Sequence, residues 1–221
     1  MATTSLSLLL EELHAHGARL VAVSKTHGEE AIMGLYRQGQ RAFGENWVQE
    51  LVEKQPKLPA DVEWHFIGHL QTNKVKYIAS FVHMIHSVDS LKLLQEIDKQ
   101  AARHNRVIPC LLECRIAQEE TKFGLTLADA SAILSDPAPA QLKHVQIAGV
   151  MGMASFTEDT TQVKLEFEQL KAMFDSLKQS FFAQDDRFCE ISMGMSGDYR
   201  IALEVGTTLV RIGSLLFGPR E

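Results

Sequence analysis

Lys25 is the residue in this sequence whose type and position most directly indicate chemistry. It follows Ser24, which ends an apolar run over residues 20–23. A lysine that leaves a buried strand loses part of its hydration, and that loss favours the uncharged amine. The uncharged amine is the nucleophile that condenses with an aldehyde or ketone to form a Schiff base. The alternative is a lysine whose ammonium group extends from the strand end into solvent.

A second set of residues, near the end of the chain, has the composition of an anion site. It consists of Ser192, Ser196, Arg211, Gly213 and Ser214. Glycines allow close backbone approach, serines offer hydroxyls, and the start of the helical segment after residue 198 presents N–H groups, which together suit phosphate. The arginine adds a permanent positive charge. Ordinary turn formation is the alternative, because Gly and Ser occur in many loops.

The elements that must position these residues alternate regularly along the chain. Eight short apolar runs are predicted strands, at residues 20–23, 41–44, 64–67, 84–88, 108–116, 145–151, 188–192 and 209–212. Helical periodicity separates them; the clearest stripe is Val163, Phe167, Leu170, Phe174, Leu177 and Phe181. Eight such units predict an α/β fold of the (β/α)8 TIM-barrel type, and the chain length suits one. An open doubly wound sheet is the competitor, although its dinucleotide-binding form needs a Gly-rich turn after the first strand.

A barrel would bring the chemical groups together. Its βα loops meet at the carboxyl end of the strands, where Lys25, Asn46 and the residues after the seventh and eighth strands would lie. Phosphate sites in such barrels frequently use the loops after those last two strands. No Pro- or Gly-rich linker divides the chain, so we expect one domain over residues 1–221.

Composition excludes several classes of function. With 22 Lys and Arg against 28 Asp and Glu, the net charge is −6, which disfavours nucleic-acid binding. No apolar run is long enough for a membrane span, and the first leucines begin an amphipathic helix with no features of a signal peptide. Three cysteines do not suggest a disulfide framework. We therefore expect a cytoplasmic protein.

The nine histidines do not indicate a metal site along the chain. His65 and His69 are four residues apart and His83 and His86 three apart, but both pairs lie near predicted strands and neither is part of an HExxH helix. No cysteines are spaced as zinc ligands. The sequence predicts buried or surface histidines and no metal.

Several ordered segments give the chain a family resemblance. They are VSKT at 23–26, FGEN at 43–46, VQE at 48–50, WHFIGHLQTNK at 64–74, KFG at 122–124, SMGMS at 192–196 and VRIG at 210–213. With these segments the chain resembles the pyridoxal phosphate homeostasis proteins along nearly its whole length. The resemblance implies a barrel of the alanine-racemase N-terminal type that binds pyridoxal 5′-phosphate, the vitamin B6 cofactor. A monomer is expected, whose partners are the cofactor and the cofactor-dependent apoenzymes that receive it.

The same resemblance implies a role for each candidate residue. Lys25 forms the Schiff base, Asn46 lies near the cofactor ring, and Arg211 faces the ring nitrogen. Phosphate binding is implied at Ser192, Ser196, Gly213 and Ser214, in the last two loops.

A cofactor carrier and a catalyst both remain compatible with these residues. An arginine on the ring nitrogen keeps the ring a weak electron sink, but racemases of this barrel type also use one, so it does not decide the matter. The few residues after the eighth run leave no room for the second domain that racemases carry, so we expect an open site and a protein that buffers or delivers the cofactor without strong catalysis. The alternatives are an amino-acid racemase and a Schiff-base aldolase on the same barrel.

Overall fold

The computed structural model describes residues 5–117 and 124–218, and its eight strands form one closed parallel barrel in chain order. The strands are β1 (Arg19–Val23), β2 (Ala42–Glu45), β3 (Glu63–Phe66), β4 (Met84–Val88), β5 (Ile108–Cys114), β6 (Val145–Gly152), β7 (Glu190–Ser192) and β8 (Leu209–Ile212). The predicted (β/α)8 barrel is confirmed, with strand ends that differ from the predicted runs by at most two residues. Lys122 and Phe123 of the KFG segment lie outside the described residues.

Helices cover the outside of the barrel. They are α1 (Leu6–Ala15), α2 (Glu29–Tyr36), α3 (Val48–Lys54), α4 (Val75–Ile78), α5 (Leu91–Arg103), α6 (Leu127–Ser135), α7 (Thr160–Phe181), α8 (Tyr199–Val205) and α9 (Ser214–Phe217). The predicted stripe of α7 is confirmed in part: Val163, Phe167, Leu170 and Leu177 are buried, Phe174 is half-buried, and Phe181 at the end of the helix is exposed. Among the residues described, no helix is long and apolar enough to cross a membrane.

The barrel closes at the seam between β8 and β1, and α1 packs against β1. Leu6, Leu9 and Leu13, spaced by three and four residues, bury one face of α1. On its other side Glu12 accepts hydrogen bonds from the Tyr199 hydroxyl at 2.9 Å and from Arg200 Nε at 2.8 Å. The first helix is thereby tied to α8, next to the strands that carry the candidate site.

Part of the barrel interior is apolar and part is polar. The apolar part is a cluster of Val21, Met84, Leu111, Ala148, Met151 and Leu209. Beside it runs a hydrogen-bonded chain, which we call the histidine chain: His65 Nδ1 lies 2.8 Å from His86 Nε2, and His86 Nδ1 lies 3.0 Å from Ser192 Oγ. Burial lowers the pKa of His65 to about 3 and that of His86 well below its usual value, so both rings are neutral.

The proton positions along the histidine chain can be assigned by starting from Ser192, the end of the chain next to Arg211. Arg211 can only donate, and its Nη1 donates to Ser192 Oγ at 2.6 Å. The serine hydroxyl still has its own proton, and we assign that proton to His86 Nδ1, the acceptor 3.0 Å away, which makes His86 the Nε2–H tautomer. That N–H donates to His65 Nδ1, so His65 carries its own proton on Nε2. This nitrogen lies toward the end of the barrel at which the strands begin, which we call the closed end.

The buried neutral histidines predict a pH-dependent stability. The unfolded state takes up protons near pH 6.5, whereas native His65 does so only near pH 3, so stability is present above pH 6.5 and is lost as the pH falls through that window. Each such histidine makes the free energy of unfolding fall by about 1 kcal/mol per pH unit between pH 6 and 4. Urea unfolding of wild type and His65→Gln in chelating buffer measures this slope.

The slope should be smaller in His65→Gln, because one titrating ring is gone, even if its absolute stability is lower. His104→Gln, an exposed position, is the matched control and should keep the wild-type slope. Equal slopes in wild type and His65→Gln would contradict a neutral, buried His65.

Candidate functional site

The carboxyl ends of β1, β2 and β8 bring three predicted site segments side by side. Val23 pairs with Gly44 on β2, and Ala22 pairs with Ile212 on β8. A side chain at Gly213 would place its Cβ only 3.2 Å from the carbonyl oxygen of Val23, so the loop after β8 packs directly on the end of β1. Lys25 is two residues further on. The fold therefore places it between the loop of Gly213 and the end of β2 at Asn46.

The segment around Lys25 has a strained and restrained backbone. Lys25 is half-buried in a turn, and Thr26 has a φ of 68°. A β-branched residue in this left-handed region costs on the order of 1–3 kcal/mol, and such strain persists only where its surroundings enforce it. One restraint is a ring stack between His27 and Phe217 of α9, with centroids 4.6 Å apart.

A buried ion cluster holds the peptide groups on both sides of Lys25. Lys54 Nζ donates to the Ser24 carbonyl oxygen at 2.8 Å, to Glu45 Oε1 at 2.8 Å and to Glu50 Oε1 at 2.6 Å. Glu45 Oε1 also accepts from Ser24 Oγ, and Glu50 Oε1 accepts from the Thr26 backbone N–H, both at 2.6 Å. We call Ser24, Glu45, Glu50 and Lys54 the Lys54 cluster. Its hydrogen bonds reach the backbone immediately before and immediately after Lys25.

The electrostatics of the Lys54 cluster make it sensitive to the loss of any member. Burial raises the pKa of Glu45, and the hydrogen bonds from Lys54 and Ser24 oppose that rise. Glu45 Oε2 is buried and has no hydrogen-bond partner within the described residues. Removing one partner of a buried ion pair leaves an uncompensated charge and costs about 3–5 kcal/mol. Lys54 was not identified from the sequence, although a carboxylate that ends a buried strand requires a cation nearby.

Asn46 presents an unused acceptor at the rim. Its Oδ1 is buried and has no hydrogen-bond partner in the described part of the chain. The loop after β3 is pressed against it: a Cβ at Gly68 would lie 2.2 Å from the Asn46 carbonyl oxygen, so only glycine fits there. A groove of about 840 Å³ starts at these two residues and extends over Trp47 and Tyr77. A buried unpaired amide oxygen beside open space suits a ligand that carries a hydrogen-bond donor.

Arg211 lies at the centre of the barrel, below the rim. Its Nη1 donates to Ser192 Oγ and its Nη2 donates to the Gly152 carbonyl oxygen at 3.0 Å. Burial lowers the pKa of Arg211 to about 10, and the carboxylates of Asp198 and Glu113 oppose that fall. The guanidinium is therefore still positively charged at neutral pH, and its orientation is fixed from two sides.

The predicted anion residues separate into two groups. Ser192 is completely buried, and its hydroxyl lies between His86 and Arg211 in the barrel interior. Ser196 lies at the rim, where its Oγ accepts from the Gly213 backbone N–H at 3.3 Å. Ser214 is exposed beside them. The rim group of Ser196, Gly213 and Ser214 is thus the part of the predicted set that a solvent-borne anion can reach.

Acidic groups also lie at the mouth of the barrel, the name we give to the end at which the strands finish. Glu113 on β5 is buried, and burial raises its pKa, with a further rise from the nearby charge of Asp89. Burial also raises the pKa of Asp198, whose Oδ1 accepts from the Met195 backbone N–H at 2.5 Å. Asp89 lies 3.6 Å from His69 Nδ1. Arg211, a buried cation at the base of the mouth, therefore lies near two carboxyl groups that burial pushes toward the neutral form.

The three cysteines take no part in this arrangement. Cys110 and Cys114 are buried free thiols on β5, and Cys189 is an exposed free thiol before β7. Burial raises the pKa of Cys114 to about 12, so its thiol stays protonated at neutral pH. The expectation that no disulfide framework forms is confirmed.

Comparison with known proteins places this geometry in a family. The family model for the N-terminal domain of alanine racemase matches residues 7–221. The chain is 39% identical over 205 residues to the pyridoxal phosphate homeostasis protein of Aquifex aeolicus, covering 92% of this chain and 88% of that one. It is 36% identical over 220 residues to the human protein of the same name, covering 95% and 79%.

Solved structures agree with these matches. PipY of Synechococcus elongatus, solved with PLP bound, superposes with a TM-score of 0.85 at 35% identity, covering 97% of this chain and all of that one. An alanine racemase of Clostridium difficile superposes with a TM-score of 0.71 at 15% identity over 56% of its length, which shows a shared fold alone. The chain therefore belongs to the pyridoxal phosphate homeostasis protein family, on the barrel fold of the alanine racemase N-terminal domain.

Proposed function

We propose that this protein binds pyridoxal 5′-phosphate at the mouth of its barrel through a Schiff base on Lys25, and that it buffers or delivers the cofactor in the cell. The observation that carries the proposal is the position of Lys25 at the end of β1, between Asn46 and the Gly213 loop, with the backbone on both sides held by the Lys54 cluster. The relative solved with PLP, at 35% identity over nearly the whole chain, supports the choice of ligand.

The residues at the mouth fit the chemical groups of such a ligand. Asn46 Oδ1, buried and without a partner among the described residues, can accept a hydrogen bond from a ring hydroxyl. Arg211 offers a fixed positive charge toward a ring nitrogen. Ser196 and Ser214 offer hydroxyl donors to a phosphate, and the Gly213 N–H, which donates to Ser196 Oγ at 3.3 Å, lies beside them, whereas the Ser192 hydroxyl is buried between His86 and Arg211.

The protein's own contribution is to hold the amine and fix the charges around it. Pyridoxal phosphate supplies an aldehyde, which condenses with a primary amine with loss of water. The Lys54 cluster fixes the strained turn from which the Lys25 side chain extends, so that the amine is presented toward the mouth. Arg211 remains protonated, with a pKa lowered only to about 10, and so does not give its proton to a ring nitrogen at neutral pH.

Arg211 is compatible with a carrier but does not by itself separate a carrier from a catalyst. Enzymes that stabilise carbanions on this cofactor gain from a protonated ring nitrogen, and a permanently charged arginine opposes that protonation. The racemase alternative keeps the same arginine, so only a measurement of turnover separates the two.

Replacing Lys25 tests the Schiff base. Lys25→Ala should abolish both the visible absorbance of protein mixed with pyridoxal phosphate and the covalent adduct that borohydride reduction leaves, because the amine proposed to form the Schiff base is removed, whereas the neighbouring Lys54 amine is held by the Ser24 carbonyl oxygen and two carboxylates. Absorbance spectroscopy and intact-mass measurement after reduction check the two effects. Lys57→Ala, an exposed lysine after α3, is the control and should retain both signals. An adduct of unchanged mass and yield in Lys25→Ala would place the Schiff base elsewhere.

Replacing Lys54 tests the positioning of that amine. The double variant Glu45→Gln/Lys54→Met removes both buried charges together and should still fold, because no lone charge is left in the core. It should nevertheless bind pyridoxal phosphate at least about tenfold more weakly, since the Ser24 carbonyl oxygen and Glu50 both lose Lys54 and the strained turn at Thr26 is held less firmly. Titration of the visible absorbance measures the affinity, and circular dichroism checks the fold.

Lys57→Met is the matched control for Lys54 and should bind within a factor of about two of wild type, as exposed ion pairs contribute little. A folded double variant with wild-type affinity would show that the cluster does not position Lys25.

Cofactor transfer and turnover distinguish a carrier from an enzyme. The loaded protein should reactivate the apo form of a pyridoxal-phosphate-dependent enzyme. It should not interconvert single-enantiomer amino acids at a rate near ~1 s⁻¹, the lower range of ordinary enzymes. Recovered enzyme activity and chiral chromatography provide the two measurements. Stereoinversion at an enzymatic rate would support the racemase instead.

A further inference from the structure

The closed end of the barrel, opposite the proposed cofactor site, brings together three side chains that could ligate a metal. Glu63 and His65 lie two residues apart on β3 and share one face of the strand, as alternation requires. His83 directly precedes β4, the neighbouring strand, and its backbone N–H donates to the Trp64 carbonyl oxygen at 2.7 Å. One potential ligand atom from each of the three lies within 4.8 Å of the others.

We propose that Glu63, His65 and His83 form a binding site for a divalent transition metal of the zinc type. Two imidazoles and one carboxylate are a common three-ligand set for zinc, with a fourth position left to water. The inference concerns the opposite end of the barrel from the proposed cofactor site and does not depend on it. The histidine pairs considered along the chain, His65 with His69 and His83 with His86, are not the pair that the barrel brings together here.

The geometry needs only movement of exposed side chains. In a tetrahedral site with ligands near 2.1 Å, neighbouring ligand atoms are about 3.4 Å apart. Glu63 and His83 are exposed and can rotate inward by the difference, whereas His65 is buried and stays in place. The His65 and His83 rings already lie with centroids 5.3 Å apart.

His65 has the features of a preorganised ligand. Its Nδ1 is hydrogen-bonded to His86, which leaves Nε2 as the nitrogen available to a metal. Metal-ligating histidines generally use their second ring nitrogen for a hydrogen bond of this kind, which fixes the ring orientation. The ring is also neutral, as a ligand must be, because burial lowers its pKa to about 3.

Nearby charges partly oppose and partly support a bound cation. Arg19 is close enough to lower the pKa of His65, and its guanidinium would repel a metal ion. That charge is already paired with the carboxylate of Glu190. The carboxylate of Glu63 supplies a negative charge that stabilises a bound divalent ion.

Metal binding would reverse the direction of the hydrogen bonds along the histidine chain. A metal on His65 Nε2 moves the His65 proton to Nδ1, which then donates to His86 Nε2. The His86 proton moves in turn to Nδ1 and donates to Ser192 Oγ, which then accepts from both His86 and Arg211 while its own hydroxyl proton rotates away from His86. No proton is gained or lost, because each neutral ring keeps one proton on its other nitrogen. The two tautomers therefore report occupancy of the site from inside the barrel.

Zinc titration of the full chain, without an affinity tag, tests the proposal. Calorimetry with Zn²⁺ should give about one ion per chain. His83→Ala and Glu63→Gln should each weaken binding by at least about tenfold, because each removes a ligand. Nitrogen-15 spectra of the histidine rings should show His65 changing from the Nε2–H to the Nδ1–H form as zinc is added.

Two control variants keep the test specific. His104→Ala removes an exposed histidine outside the proposed ligand set and should leave zinc affinity within a factor of about two. Cys189→Ser removes an exposed thiol at the same end of the barrel and should have equally little effect. No binding by wild type, equal binding by His83→Ala, loss of binding in Cys189→Ser, or an unchanged His65 ring would each overturn the proposal.

Discussion

The ammonium group of Lys54 is the contact on which the arrangement of the mouth depends. It joins α3 to the ends of β1 and β2 in a largely buried region, and it offers one proton each to Ser24, Glu45 and Glu50. In water this group would be one exposed lysine among many. Buried among these acceptors, it neutralises a carboxylate and holds the turn that carries Lys25 in a conformation that a β-branched neighbour would otherwise avoid.

A second constraint comes from the polar part of the barrel interior. Arg211 is a buried cation, and a buried cation needs acceptors on every side that the ligand does not occupy. Ser192 and the Gly152 carbonyl oxygen supply two of them, and the two neutral histidines support the serine from below. The arginine is thus held by a chain of groups that extends to the other end of the barrel, and not by a carboxylate that would cancel its charge.

The two ends of the barrel differ in what they offer. The mouth combines an amine, an arginine, an amide oxygen without a partner in the described residues, and loops rich in Gly and Ser, which suits an anionic, aldehyde-bearing ring. The closed end combines imidazoles and a carboxylate, which suits a metal ion. The histidine chain connects the two ends through the interior. A change of proton position at the closed end therefore changes the hydrogen bonding of the Ser192 hydroxyl, which Arg211 binds.

The sequence by itself determined eight alternating strand and helix units, which favoured a barrel over an open doubly wound sheet, and a set of candidate residues: Lys25, Asn46, Ser192, Ser196, Arg211, Gly213 and Ser214. These follow from local signals: apolar runs of strand length, helical stripes, and polar residues where each run ends. Only the tertiary structure decided that Lys54 holds the Lys25 turn, that Ser192 turns inward to His86, and that His65 meets His83 across β3 and β4. Each of those contacts joins residues from different elements. Their meeting depends on strand register and barrel closure, which the spacing of residues along one chain does not specify.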